Sequence, residues 1–144
     1  MYIALRLVVV FGIASCSHLG ANSSNDEKHD LAVTVDDVRI LERADSILAN
    51  DTIWNRLDTR NCPDNVPKVS LFCALYKASL DVLGAYDHRR TALQEVRFVI
   101  GERGKEYEHR LMGFNNDQAT TFSDIKQVLH VALERVQDRI KQWR

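Results

Sequence analysis

Apolar residues near the end of the chain recur at the spacing of an α-helix, and this periodicity constrains the possible folds most strongly. From Thr121 onwards one side of such a helix would carry Ile125, Val128, Leu129, Ala132, Val136, Ile140 and Trp143. Thr121 and Asp124 have the spacing of a helix start, in which the acidic residue faces the positive end of the helix dipole. No alternating strand pattern longer than a few residues and no internal repeat is found. The chain is therefore predicted to be all-α.

Four earlier segments have helical patterns, which completes a predicted single small bundle of about five helices. Thr34 and Asp37 repeat the threonine–acid start, and Gly84 and Gly101 are placed to end helices. Trp54 is expected in the core, and residues 58–67, which hold both prolines, are expected to form a loop. The predicted bounds are Thr34 to about Asn50, Lys68 or Ser70 to Leu83, Asp87 to Ile100, and Lys105 to Gly113.

The N-terminal segment has the layout of an export signal. Arg6 precedes an apolar run from Leu7 to Ile13, which the small residues Ala14 and Ser15 follow. The run is too short to span a bilayer, which takes roughly 20 apolar residues. A buried N-terminal helix is the alternative, but the segment lacks a polar face. Residues 1–15 are therefore predicted to be a cleaved signal peptide.

The end of this segment, Ile13-Ala14-Ser15-Cys16, resembles the lipobox of bacterial lipoproteins. The resemblance implies that Cys16 is acylated and anchors the mature chain to a membrane, because several acyl chains together give stable attachment. Ser17 stands where an inner-membrane retention signal has aspartate, which by the same analogy implies the outer membrane, facing the periplasm. The polar residues 16–33 are predicted to form a flexible tether, and residues 34–144 a single helical domain.

The three cysteines fit this interpretation. With Cys16 lipidated, Cys62 and Cys73 remain as an even pair in an oxidising compartment and are predicted to form a disulfide. A metal site recruiting His88 or His109 is the alternative, but the chain has no CxxC or HxxxH spacing, so neither a metal nor a cofactor is predicted. The 19 basic and 20 acidic residues nearly balance, which gives a nucleic-acid partner no electrostatic support.

Several short motifs together resemble an uncharacterised family of small helical bacterial proteins. The match would extend from about Leu41 to Leu133, although this chain lacks the family's glycines after the Cys-Ala pair and in the Asn-Asp turn. The resemblance implies a helical fold and no known activity. The matching residues are Trp54, Phe72-Cys73-Ala74-Leu75, Asn116-Asp117, Thr120 or Thr121, and Asp124-Ile125.

Weak catalytic candidates are His109 or His88, with Glu106 or Asp117 as the partner carboxylate. A solvated histidine beside a Glu106–Arg110 surface ion pair explains the same residues without catalysis. A catalytic role would require His109, Asp117 and Glu106 to converge in one concave pocket. No phosphate-binding glycine loop, nucleophile elbow or HExxH motif is present.

Two further polar segments are candidate binding sites. Residues 87–90, Asp-His-Arg-Arg, followed by Glu95 and Arg97, form either a solvated helix end or a surface for an anionic partner such as a glycan phosphate. The turn Asn115-Asn116-Asp117 either binds a ligand or cation or only caps a helix.

The sequence as a whole predicts an envelope lipoprotein that acts as a non-enzymatic binding module for a protein or a cell-wall component. Two alternatives remain open at this point: a small envelope hydrolase, and an inhibitor of a periplasmic enzyme.

Overall fold

The computed structural model describes residues 32–142, which form five α-helices and no β-strand. This confirms the predicted all-α fold. The predicted signal peptide, Cys16, the tether up to residue 31 and Trp143 lie outside the described residues. None of the five helices is long and apolar enough to cross a membrane. The helices are α1 Val35–Ile47, α2 Leu71–Leu83, α3 Thr91–Gly101, α4 Arg110–Asn116 and α5 Phe122–Gln142.

Both predicted threonine–acid pairs begin helices. The Thr34 amide donates a hydrogen bond to Asp37 Oδ2 over 2.8 Å at the start of α1. At the start of α5, the Thr121 amide donates to Asp124 Oδ2 over 2.9 Å and the Asp124 amide donates to Thr121 Oγ1 over 3.2 Å. The hydrogen bonds from Thr121 lower the pKa of Asp124. These local bonds satisfy amides that would otherwise lack a partner in the first helical turn.

Two of the predicted helix boundaries are displaced because polar residues form turns instead. α1 ends at Ile47, and Asn50 starts a turn in which its Oδ1 accepts a hydrogen bond from the Thr52 amide over 3.1 Å. α3 begins at Thr91 and not at Asp87, whose Oδ1 accepts from the Arg89 amide over 2.8 Å. Asp and Asn stabilise such turns in competition with a helix.

The prediction of a helix from Lys105 to Gly113 is wrong by several residues, because α4 spans Arg110–Asn116. Tyr107 packs so closely against Gly113 that a Cβ there would lie 2.7 Å from the Tyr107 side chain. This contact folds the segment before α4 back onto the helix. Asn115 and Asn116 consequently belong to α4 and not to a turn.

The core lies where the helices meet. α1 packs against α2, α3 and α5, while α3 packs against α5 and α4 contacts both α2 and α3. All five helices contribute buried apolar side chains, and Trp54 is buried as expected. The loop between α1 and α2 is clipped to α2 by the predicted disulfide, which is confirmed: the sulfurs of Cys62 and Cys73 are 2.10 Å apart.

Candidate functional site

One cleft of about 340 Å³ combines positive charge with aromatic surface. Its lining comes from the loop between α1 and α2, from α2, from the turn before α3, from α3 itself, and from the start of α4. Three arginines, two histidines and two aromatic rings face this space: Arg60, Arg97, Arg110, His88, His109, Phe72 and Tyr86. We refer to this surface as the arginine cleft.

Arg97 is the most enclosed of the three arginines. Its Nη1 donates a hydrogen bond to the His88 carbonyl oxygen over 2.8 Å, which holds the side chain across the turn before α3. Burial lowers the pKa of the Arg97 guanidinium, the Tyr86 hydroxyl opposes this, and the charges of Arg110 and Arg60 lower it further. The charges of Arg110 and Arg60 are therefore close enough to Arg97 to repel it.

Arg60 is held in the cleft by an unusual backbone conformation. Its φ of 61° is left-handed, which costs a non-glycine residue roughly 1 to 2 kcal/mol. Asp58 supports this turn, since its Oδ1 accepts the Arg60 amide over 2.7 Å. The Arg60 guanidinium lies 5.6 Å from the centre of the Phe72 ring, at a distance where cation and ring attract.

Arg110 is the third arginine of the cleft and lines it from the start of α4. It is the first residue of α4, and its guanidinium lies over Gly101, where an added Cβ would be 3.7 Å from Arg110 Cζ. Among the residues that the structure describes, no carboxylate forms an ion pair with Arg60, Arg97 or Arg110. Glu108 is the acidic member of the lining. The arginine cleft thus carries excess positive charge.

The aromatic wall is formed by rings that pack on each other. Phe72 meets Tyr86 edge to face, with the ring centres 6.0 Å apart, and Tyr86 contacts Tyr76 at 5.1 Å. Phe72 is anchored in the buried first turn of α2, directly before Cys73 of the disulfide. This wall offers a rigid apolar surface beside the charges.

The structure brings together only part of the predicted catalytic set. His88 and His109 both line the arginine cleft, but Glu106 and Asp117 do not. Glu106 forms no ion pair with Arg110 within residues 32–142. Asp117 instead pairs with Lys105 and accepts a hydrogen bond from the Tyr107 hydroxyl over 2.7 Å. The four candidates therefore do not converge in one pocket.

The Asn115–Asp117 segment makes structural contacts. Asn115 is fully buried, and its Oδ1 accepts from Trp54 Nε1 over 2.9 Å and from the Leu71 amide over 3.0 Å. Asn116 holds the preceding loop through the amide and carbonyl of Asp58. These bonds join α4 to the start of α2. No group of three His, Cys, Asp or Glu side chains in the described part of the chain is arranged to hold a metal ion.

A second cavity, of about 300 Å³, lies beside the disulfide. Its lining includes Lys68 and Lys77 and the buried Asp58, whose Oδ2 has no hydrogen-bond partner in the described residues. That oxygen is fully enclosed and cannot be reached from the cavity without a rearrangement. The arginine cleft is therefore the better candidate site.

Sequence reasoning missed Arg60, Phe72 and Tyr86 as members of this site. They are spread over 27 positions, from 60 to 86, and no local spacing connects them. The signal that was available, the Asp87–Arg90 cluster, pointed to the correct turn through His88. Arg97, which the same interpretation included, also lines the cleft, whereas Arg89 and Arg90 lie outside its lining.

Comparison with known proteins gives a family without an activity. The model of a family of unknown function, DUF6197, matches residues 32–135. No curated protein and no solved structure matches the chain.

Proposed function

The chain belongs to this family of unknown function, so its role has to be inferred from its own residues, and we propose that it is an envelope protein that binds a partner or ligand without transforming it. The observation that carries the proposal is the arginine cleft, in which fixed cations and aromatic rings face an open space. A catalytic histidine is typically oriented by a neighbouring carboxylate within hydrogen-bond reach. His88 and His109 lack the expected carboxylates there, which disfavours the hydrolase alternative.

The proposed location is the outer membrane, through acyl chains on Cys16, with the domain facing the periplasm. The support is the lipobox-like Ile13-Ala14-Ser15-Cys16, together with the Cys62–Cys73 disulfide. Disulfides persist in oxidising compartments and are rare in the cytosol. The disulfide thus supports export independently of the N-terminal segment.

Fractionation of cells that produce Cys16→Ala tests the anchor. We expect the unaltered protein to be processed and to be recovered with the membranes, whereas Cys16→Ala stays unprocessed or leaves the membrane fraction. Ser17→Ala is the matched control and should remain processed and membrane-bound. Membrane recovery and normal processing of Cys16→Ala would overturn the anchor.

Site-specific photo-crosslinking in intact cells tests the binding role. A photoreactive amino acid replaces Glu108, which lines the arginine cleft, or Glu42, which is exposed on α1 and lies outside the cavities described above. We expect a discrete adduct from position 108 and none from position 42. Absence of an adduct at 108, or the same adducts from both positions, contradicts binding of an envelope partner at the cleft in cells.

A second candidate function, inhibition of a periplasmic enzyme, is favoured by one exposed side chain. Leu57 is 75% exposed, yet the backbone around it is fixed. Its amide donates to Asn55 Oδ1 over 3.0 Å, and the next amide, of Asp58, donates to Asn116 Oδ1 over 2.7 Å. A rigid loop that presents an apolar side chain loses little entropy on binding. The photoreactive residue at position 57 should then capture an enzyme, and no adduct there excludes this candidate.

A further inference from the structure

We propose that the arginine cleft binds a phosphate ester, with Arg60, Arg97 and Arg110 around the phosphate and with Phe72 and Tyr86 against the group that it esterifies. The inference rests on the proposed binding function and names its ligand class. It draws on the charges, the aromatic wall and the fixed backbone of the cleft.

The arginine cleft carries more positive than negative charge, which favours the binding of an anion. Three guanidiniums meet there without an ion pair to a carboxylate in the described range 32–142, although most arginines elsewhere on the domain are paired. Burial first, and then the charges of Arg110 and Arg60, lower the pKa of Arg97, while Tyr86 opposes the shift. A bound anion relieves the repulsion between these charges.

The number of donors favours phosphate over carboxylate. A carboxylate has two oxygens and is satisfied by one guanidinium that binds it through two parallel hydrogen bonds. Each guanidinium has five N–H donors, and in this cleft His88 and His109 add further potential donors. A phosphate ester presents two or three charged oxygens in several directions, which matches cations that approach from α3, α4 and the loop before α2.

The apolar wall indicates an ester and not free phosphate. Phe72 and Tyr86 line the same space as the arginines, and an inorganic ion would leave uncovered the part of these rings that faces the cleft. A cleft of about 340 Å³ has room for a phosphate and one sugar- or glycerol-sized group. A sugar face or an acyl-glycerol chain can pack on aromatic rings in this way.

The cations are held in place before binding. The His88 carbonyl oxygen holds Arg97, while the exposed Arg60 guanidinium lies against Phe72 and extends from a backbone turn that Asp58 supports. Fewer rotamers are lost when the ligand binds, which strengthens binding without additional contacts. Arg110, exposed at the start of α4, is the least constrained of the three.

Isothermal titration calorimetry of the purified full-length chain tests the ligand class. Glucose 1-phosphate should bind saturably with a dissociation constant of about 1 mM or tighter, and inorganic phosphate more weakly. Acetate should not compete at equal concentration. No saturable binding of glucose 1-phosphate or of a short-chain lipid phosphate, or equal competition by acetate, would overturn the proposal.

Matched arginine variants locate the site. Arg60→Ala and Arg110→Ala should each weaken binding roughly tenfold or more, since each removes charge-assisted hydrogen bonds. Arg89→Ala removes the same charge from the neighbouring turn, outside the cleft lining, and should change affinity less than about twofold. Arg110→Lys keeps the charge and should recover part of the loss. An equal loss in Arg89→Ala would show unspecific attraction and contradict the site.

Two sources of the phosphate are distinguished by the probe. Tighter binding of glucose 1-phosphate than of dihexanoyl phosphatidic acid assigns a glycan phosphate, and the reverse order assigns a lipid headgroup; both results support the phosphate site. The phosphate-binding test and the crosslinking test of the proposed function can fail independently. A crosslinked adduct at position 108 without phosphate binding overturns the ligand class alone, whereas phosphate binding without any adduct in cells leaves the ligand class standing and contradicts the envelope role.

Discussion

At the scale of single residues, Tyr107 both fixes the local backbone before α4 and is perturbed in its pKa. Its ring lies against Gly113, and its hydroxyl donates to Asp117 Oδ2 over 2.7 Å. Lys105 pairs with the same carboxylate, and its hydrogen bond holds the pKa of Asp117 well below the usual range. The Tyr107 ring therefore holds the segment before α4 against this helix, and the charged Asp117 carboxylate favours the protonated form of the Tyr107 hydroxyl.

We expect Tyr107 to ionise late. Burial, followed by the hydrogen bond to Asp117 and its negative charge, raises the pKa of Tyr107 from 10.0 to about 12. Because the folded pKa is the higher one, the stabilisation is complete below pH 10 and is lost as the pH rises towards about 12. Absorbance at the phenolate band, taken as the difference between the unaltered chain and Tyr107→Phe, should give this midpoint.

Asp117→Asn is the informative partner variant for this titration. It keeps a hydrogen-bond acceptor but removes the negative charge, so the Tyr107 midpoint should move down towards the ordinary value for tyrosine. A midpoint near 10 in the unaltered chain, or no change in Asp117→Asn, contradicts the account of this pair.

At the scale of elements, α3 and α5 are joined by charges as well as by apolar packing. Glu95 on α3 is 1% exposed and faces Arg135 and Arg139 of α5 at 3.6 and 3.5 Å. Arg135 also makes two hydrogen bonds to Glu102, of 2.9 and 2.6 Å, at the exposed end of α3. One arginine thus meets a buried and an exposed carboxylate.

Burial predicts unequal effects for the two carboxylates. Glu95→Gln should lower the free energy of unfolding by roughly 1 to 3 kcal/mol, because it removes the buried counter-charge of two partly buried arginines. Glu102→Gln should lower it by about 1 kcal/mol or less, since solvent screens an exposed pair. Urea unfolding measures both values. Equal effects would mean that burial at Glu95 is unimportant.

The elements also show what the sequence could predict. The stripe along α5 and the pairs Thr34–Asp37 and Thr121–Asp124 act within a turn or two of helix, so spacing alone located the starts of α1 and α5. The shifted start of α4 depends on Tyr107 meeting Gly113, and the roles of Asn115 depend on Trp54 and Leu71 far along the chain. Contacts between individual side chains that do not share a helix leave no periodic signal in the sequence.

The candidate site was harder to predict than the fold for the same reason. His88 and His109 were identified as reactive residue types, and both line the arginine cleft. Arg60 and Phe72 meet because the loop before α2 turns back on that helix, which no local pattern indicates. The disulfide could be predicted because the number of cysteines, combined with the expected export, indicated a pair without knowledge of the fold.

At the scale of the whole molecule, the disulfide links stability to the arginine cleft. Arg60 lies two residues before Cys62, and Phe72 lies directly before Cys73. The bond therefore holds together the two chain segments whose side chains meet at 5.6 Å in the cleft. Its sequence separation of 11 residues gives a stabilisation of about 3 kcal/mol when chain entropy alone is considered.

The double variant Cys62→Ser/Cys73→Ser should therefore lose affinity for the ligand as well as stability. We expect a loss of about 3 kcal/mol in the free energy of unfolding. Because Arg60 is then no longer held over Phe72, we also expect glucose 1-phosphate to bind several-fold more weakly under conditions where the chain is still folded. Urea unfolding and calorimetry measure the two effects separately.

Leu129→Ala is the control that separates loss of stability from loss of ligand affinity. Leu129 is buried on α5 and does not line the cleft, and its truncation should destabilise the chain by roughly 2 to 5 kcal/mol. Its affinity for glucose 1-phosphate should nevertheless stay within about twofold of the unaltered chain, because the Arg60 loop remains clipped. If both variants lose affinity equally, general destabilisation explains the effect. If the cysteine variant binds as tightly as the unaltered chain, the hydrogen bond from Arg60 to Asp58 and the Phe72 ring suffice to hold the cleft without the disulfide.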